Sequence, residues 1–175
     1  MRWFLVAVLA YGLLVLQVAV FGPGRLAVAV EGHWVRPDLV FILGLFLALY
    51  FQPAEVFIAG WCLGLASDLA SVTGRLGARA LLFALALYLI SRFRVRLLRG
   101  QRLTPFLLAL ASVFIVHLLW YFATRLLEGS PLVVGRTVVA SLLDALYSSI
   151  FAPYLIWLLQ RLRGPLGAAG NPVED

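Results

Sequence analysis

Apolar stretches separated by short polar breaks run along almost the whole chain. Those long enough for helices cover residues 3–21, 38–51, 54–70, 78–91, 105–127 and 137–159. A helix needs about 20 residues to cross a bilayer, so the second and fourth stretches are short. Either they are shielded inside a bundle, their ends extend into the loops, or one pair is re-entrant. We predict about six transmembrane helices; five spans, or four with a re-entrant hairpin, are the alternatives.

Two breaks in the pattern predict local structure. Gln52-Pro53 joins the second and third stretches and leaves room only for a tight antiparallel hairpin. In the long loop over residues 22–36, residues 26–30 favour a short strand or an interfacial turn. The first stretch exceeds the roughly 7–15 apolar residues of a signal peptide, which predicts an uncleaved first helix.

The amino-acid composition indicates that lipid, and not water, surrounds this fold. Of the 175 residues, 63% are hydrophobic and 13% are charged, whereas soluble domains average about 45–50% apolar and about 25% charged residues. We therefore expect an all-α integral membrane protein. Its bundle would cover residues 1–163, and residues 164–175, rich in Gly, Pro and Ala, would form a disordered cytoplasmic tail.

Arginine positions predict the orientation. Five arginines lie between the fourth and fifth stretches, and basic residues concentrate on the cytoplasmic side of membrane proteins. With six spans, both termini would be cytoplasmic. The net charge of +6 is thus a topology signal and not a sign of nucleic-acid binding. Anionic lipids or a cytoplasmic partner are the candidate contacts of four of these residues: Arg92, Arg94, Arg96 and Arg99.

An ionisable side chain inside an apolar stretch indicates a structural or functional role, because placing one at the bilayer centre costs about 2.5–3.5 kcal/mol of insertion free energy. Asp68 and Arg79 are expected to form a structural ion pair, with a ligand or proton site as the alternative. His117 is expected to be neutral and bonded to a neighbouring helix, ahead of a proton relay. Asp144 is expected to bond between helices, with a transport role as the alternative, and its candidate partners are Arg125, Arg136 and Arg79.

Small residues mark one packing seam. Gly60 and Gly64 lie four residues apart on one helix face, where a second helix can approach closely. That helix could belong to a partner or to the same chain. Arg36 and Asp38, at the start of the second stretch, are further candidates for partner contact.

Signals for catalysis are weak throughout the sequence. His33, His117 and the sole cysteine, Cys62, are far apart in the chain, which gives a metal site little support. The chain carries no glycine-rich phosphate loop and no serine nucleophile elbow. We therefore expect neither enzyme activity nor a cofactor.

The order of several motifs resembles one family. Arg36-Pro37-Asp38-Leu39 opens a short apolar stretch, Gly60-x-x-x-Gly64-x-x-x-Asp68-Leu69-x-Ser71 follows, and Gly77 leads into the fourth stretch. A late proline, Pro153, lies in the last stretch. This arrangement is similar to the bacterial rod shape-determining membrane protein family MreD, with the detailed match over residues 36–90.

The resemblance implies a fold similar to the six-helix substrate-binding subunits of energy-coupling-factor vitamin transporters. It implies a non-catalytic scaffold of the cell-elongation complex in the inner membrane, which helps control cell shape and peptidoglycan synthesis. Its partners would be an MreC-like bitopic membrane protein, RodA, a class B penicillin-binding transpeptidase, MreB and membrane lipids.

Two other functions remain open at this level. The first is a vitamin-binding subunit of such a transporter, which docks its coupling partner through alanines four residues apart in the first span. Here Ala7, Ala10 and Ala19 do not have that spacing. The second is a lipid-handling protein, supported only by the arginine-rich loop.

Overall fold

The computed structural model describes residues 2–21, 28–30, 33–70, 77–97, 104–129 and 134–166. Within these ranges the chain forms six long helices and a short seventh: α1 (Trp3–Val20), α2 (Leu39–Tyr50), α3 (Pro53–Ala70), α4 (Ala78–Leu97), α5 (Thr104–Glu128), α6 (Val134–Arg161) and α7 (Arg163–Leu166). Two short strands, β1 (Val28–Val30) and β2 (His33–Val35), pair in antiparallel fashion with Ala29 opposite Trp34. The helical bundle agrees with the all-α prediction, to which this hairpin is a local addition, and residues 28–30 form the strand that was one of the two alternatives for residues 26–30.

The helices are those of a membrane protein. Three of them, α1, α5 over Phe106–Leu126 and α6, are long and apolar enough to cross a bilayer, and α2 is a shorter apolar helix. Large apolar side chains cover the outside of the bundle, including Phe4 at 77% and Tyr154 at 73% exposure. Lipid solvates such a surface, whereas water would not. How many helices cross the membrane stays a prediction.

Helix α2 lies in the centre of the bundle. It has 12 residues, and all of them from Leu39 to Leu49 are buried. It packs against α1, α3, α4, α5 and α6. At about 1.5 Å per residue it is only about 18 Å long, well short of a hydrocarbon core of about 30 Å. Because other helices surround it, the structure supports the shielded alternative for this short stretch.

The fourth apolar stretch is short for a different reason, because its helix, α4, is longer than the stretch itself. The apolar stretch that the sequence marks as ending at residue 91 continues as helix to Leu97. Its end therefore extends into the predicted loop, and its 20 residues match the length of a full crossing.

Helices α3 and α4 pack closely through the glycine seam. A Cβ atom added at Gly60 would lie 2.9 Å from Ala84 Cα, and one added at Gly64 would collide with Ala80 Cα. The seam is therefore filled by α4 of the same chain, where small residues let two helix backbones approach.

The first and last described helices meet at one end of the bundle. The backbone N–H of Arg2 donates to the carbonyl oxygen of Leu166 at 3.1 Å, and the Leu166 side chain is buried. Residues 164–166, which the sequence assigned to the tail, belong to α7, and residues 167–175 lie outside the described residues.

Candidate functional site

A polar cavity of about 250 Å³ lies toward the end of the bundle where α1, α3 and α5 finish. We call this the cavity end. Every one of the six long helices, or the residues just before it, supplies part of the lining. The polar and charged lining residues are Gln17, Arg36, Asp38, Ser67, Arg79, His117, Tyr121 and Asp144.

A histidine between two carboxylates forms the core of this site. His117 Nε2 lies 3.2 Å from Asp38 Oδ2, and His117 Nδ1 lies 3.4 Å from Asp144 Oδ2. All three residues are buried. A neutral imidazole carries a single N–H, so both contacts are hydrogen bonds only when the ring is an imidazolium or one carboxyl is protonated. In either case the trio carries one net negative charge.

Asp38 also starts the central helix. Its Oδ1 accepts a hydrogen bond from the Phe41 N–H at 3.0 Å, the N-cap arrangement that satisfies an otherwise unpaired helix amide. Its own backbone N–H donates to Ser148 Oγ at 2.9 Å. An aspartate placed directly before an apolar run therefore serves the helix with one oxygen and His117 with the other.

Gln17 completes the cap from the neighbouring helix α1. Its Oε1 accepts hydrogen bonds from the N–H groups of Leu39 at 3.1 Å and Val40 at 3.4 Å. Backbone amides at a helix start lack partners within the helix, and lipid offers none. This side chain therefore ties α1 to the beginning of α2.

Asp144 joins α6 to two other parts of the chain. Its Oδ1 accepts from the Arg36 backbone N–H at 3.3 Å, and its Oδ2 accepts from the Tyr121 hydroxyl at 3.1 Å. The Ser148 hydroxyl donates to the Asp144 carbonyl oxygen one turn earlier at 2.7 Å. The interhelical bond expected of Asp144 is thus made with α5, through His117 and Tyr121.

Asp68 and Arg79 lie at the same corner of the bundle. Asp68 Oδ2 accepts from the Gly77 N–H at 2.8 Å, which links the end of α3 to the start of α4. Gly77 has φ of +103°, a backbone conformation that favours glycine. The Arg79 guanidinium lies over the Trp120 ring, 4.4 Å from its centroid. The Asp68–Arg79 ion pair stays a prediction.

The remaining candidate residues lie elsewhere. Arg92 is exposed near the other end of α4, Arg94 and Arg96 belong to the same helical turns, and Arg99 lies outside the described residues. Among the described residues there is no group of three His, Cys, Asp or Glu side chains placed to hold a metal ion.

The link between Asp38 and His117 spans 79 positions and is not predicted from the sequence. The partners of Gln17, a weaker candidate for an interhelical bond, and of Ser148 are not predicted either. One feature of the sequence does indicate these residues: each is polar in an otherwise apolar stretch, and such residues usually bond to other groups inside a membrane bundle. Which partner each one finds depends on how the helices are arranged.

Comparison with known proteins gives one match. The family model described as rod shape-determining protein MreD matches residues 1–162, a range that includes every residue lining the cavity. No curated protein and no solved structure matches the chain. The similarity of fold to energy-coupling-factor subunits therefore stays a prediction.

Proposed function

The chain belongs to the MreD family of rod shape-determining proteins, and from this membership we propose that it is a non-catalytic scaffold of the cell-elongation complex in the bacterial inner membrane. The family match over residues 1–162 is the observation that carries the proposal. In this role the protein determines rod shape by holding partners that control peptidoglycan synthesis.

The polar core fits a scaffold. The carboxylates of Asp38 and Asp144 bond to His117, to Tyr121 and to backbone amides. A satisfied network of this kind joins α2, α5 and α6 into one unit and rigidifies a bundle. Its groups are thereby engaged in holding helices together.

The proposed partner is an MreC-like protein with a single transmembrane helix. Through it the chain would associate with RodA, a class B penicillin-binding transpeptidase and MreB. Because α4 already fills the seam at Gly60 and Gly64, the partner helix would pack on the outside of the bundle. That surface is rich in large apolar side chains, which suit a second helix as well as lipid.

Both termini are proposed to be cytoplasmic. Arg2 and α7 lie together, at the end of the bundle where α6 finishes. Arg92, near the end of α4, is at the same end as the finish of α6, because α4 and α6 run in the same direction through the bundle. Basic residues favour the cytoplasmic side. The cavity end would then face outward.

Photocrosslinking in living cells tests the scaffold. A photoreactive residue would be placed singly at exposed positions on four helices: Tyr11 on α1, Leu85 on α4, Ile115 on α5 and Ile150 on α6. The matched control is Phe46 on α2, which is fully buried and out of reach of any partner. We expect an MreC-like adduct from one helix face and none from Phe46.

Two outcomes would contradict the scaffold. One is the absence of an MreC-like adduct at all four exposed positions while the protein is present at normal levels. The other is solute uptake by vesicles that contain only the purified protein, since a passive platform moves nothing.

A further inference from the structure

The acceptors of the cavity are already occupied. Both carboxylate oxygens of Asp38 receive hydrogen bonds, one from the Phe41 amide and one from His117. Both oxygens of Asp144 do as well, from the Arg36 amide, His117 and the Tyr121 hydroxyl. These groups offer few free lone pairs to an incoming molecule.

The donors are in surplus. The Arg79 guanidinium lies over the Trp120 ring, a contact that uses the face of the guanidinium and not its N–H groups. The Ser67 side chain lines the cavity, and in the described part of the chain its oxygen is buried with no hydrogen-bond partner. Arg36, which is exposed, is a second arginine of the lining. A molecule that fits this cavity must bring acceptors.

The charges of the lining agree with this. The trio of His117 and two carboxylates carries one negative charge, while Arg36 and Arg79 carry two positive charges, so the lining residues favour an anion over a cation.

We propose that this cavity binds a phosphate-bearing monoanion, with Arg79, Arg36 and Ser67 as donors. The planar fork of a guanidinium matches the oxygens of a phosphate, and two forks with one hydroxyl suit a group that presents several oxygens better than a lone carboxylate does. The site is independent of the scaffold role.

The group could come from a lipid or from solution. Leu14 and Val18 of α1 form the apolar side of the cavity, and Val18 is 54% exposed on the surface of the bundle. The cavity therefore borders the lipid-facing surface, where the headgroup of a phospholipid such as phosphatidylglycerol would enter. Free phosphate would enter from the aqueous side of the cavity end.

The experiment uses the full-length protein in nanodiscs of phosphatidylcholine. The unfolding temperature is measured with increasing phosphatidylglycerol and, separately, with inorganic phosphate, and retained lipid is counted by native mass spectrometry. We expect phosphatidylglycerol to raise the unfolding temperature. Because it removes charge-assisted hydrogen bonds, R79Q should weaken that lipid's binding roughly tenfold or more, and Arg79→Lys, which keeps the charge but not the fork, should have a smaller effect.

One further variant serves as a control for R79Q, and two others can replace it. Arg161→Gln removes an exposed arginine that also lies over a tryptophan ring, Trp157, but does not line the cavity, and it should bind phosphatidylglycerol as the unchanged protein does. If R79Q fails to fold in phosphatidylcholine, Arg36→Gln and Ser67→Ala take its place, since Arg36 is exposed and Ser67 loses only a hydroxyl.

Each outcome decides the proposal. Stabilisation by the lipid alone identifies a headgroup site, and stabilisation by inorganic phosphate identifies a free-phosphate site. No stabilisation by either overturns the proposal, and so does an equal loss in R161Q, which would mean general attraction between arginines and anionic surfaces. Stabilisation only by a partner protein, lost in R79Q, would also overturn it. None of these results bears on the crosslinks to an MreC-like partner.

Discussion

His117 bonds two carboxylates that lie 79 and 27 positions away in the chain. In a poorly solvated interior, each of these groups depends on the others for compensation. The imidazole is therefore a central link between the start of α2 and the middle of α6. The ring stabilises the bundle because each of its two nitrogens contacts a different carboxylate.

His117→Phe tests this link. The phenyl ring fills a similar space but leaves Asp38 and Asp144 without their shared donor, and breaking a buried pair typically costs about 3–5 kcal/mol. We expect a loss of unfolding free energy of that order, measured by denaturant titration in mixed micelles.

A second variant separates charge from shape. Adding Asp144→Asn to His117→Phe removes one of the two carboxylate charges that had faced the imidazole, so the double variant should regain part of the lost stability. Equal stability of His117→Phe and the unchanged protein would show that the trio contributes nothing.

The sequence identifies these polar residues as important, but it predicts only some of their partners. Asp144 and His117 stood out because each is ionisable inside an apolar stretch, whereas Asp38 was singled out only as a candidate partner contact. Their mutual contact requires α2, α5 and α6 to meet, and the chain carries no local signal for that meeting. Asp68 and Arg79 were paired because both were placed at the outer side of the bundle; the structure adds contacts of Asp68 with Gly77 and of Arg79 with Trp120, and the ion pair stays a prediction.

At the scale of the elements, small residues set the distance between α3 and α4. The glycine spacing predicted a seam, and the structure places Ala80 and Ala84 opposite it. Which helix would occupy the seam was open, because a partner helix and a helix of the same chain use the same motif. The tight turn after α2 brings α3 back beside it, but only the full packing brings α4 against Gly60 and Gly64.

Gly64→Val should disrupt this pair of helices. Its side chain would collide with the backbone of Ala80, and backbone cannot move aside as a flexible side chain can. Overpacking of this kind typically costs about 1–3 kcal/mol, and occasionally more. We expect a loss near the upper end of this range, read as a lower unfolding temperature in detergent.

Gly12→Val on α1 is the matched control, since nothing lies within 4 Å of a Cβ atom added there. It should leave stability nearly unchanged. If the two valine variants had equal unfolding temperatures, the close approach of α3 and α4 would not be important for the fold.

The whole molecule follows the predicted order of helices more closely than their predicted ends. All six apolar stretches are helical, because a helix satisfies the backbone of an apolar run within the segment, and α6 stays helical through Pro153. The observed ends differ from the predicted ones where polar residues continue a helix: α4 runs through Arg92 to Leu97, and α7 extends the C-terminal end to Leu166. Hydropathy alone does not mark such ends.

Thiol labelling tests the orientation of the whole molecule. With Cys62 changed to Ser, single cysteines replace Arg136, exposed at the start of α6, and Arg92, exposed near the end of α4. In spheroplasts, an impermeant maleimide should label the cysteine at position 136 directly and the one at position 92 only after permeabilisation. The reverse pattern would place both termini outside the cytoplasm.

The buried position of α2 has a consequence for biosynthesis. This helix is the second to be synthesised, yet two of the helices that pack against it, α5 and α6, are synthesised last. A segment of 12 residues is too short to rest stably on its own between two leaflets. Until α6 has been synthesised, α2 therefore lacks part of the packing that buries it, and we expect it to reach its final position only after the last helix has formed.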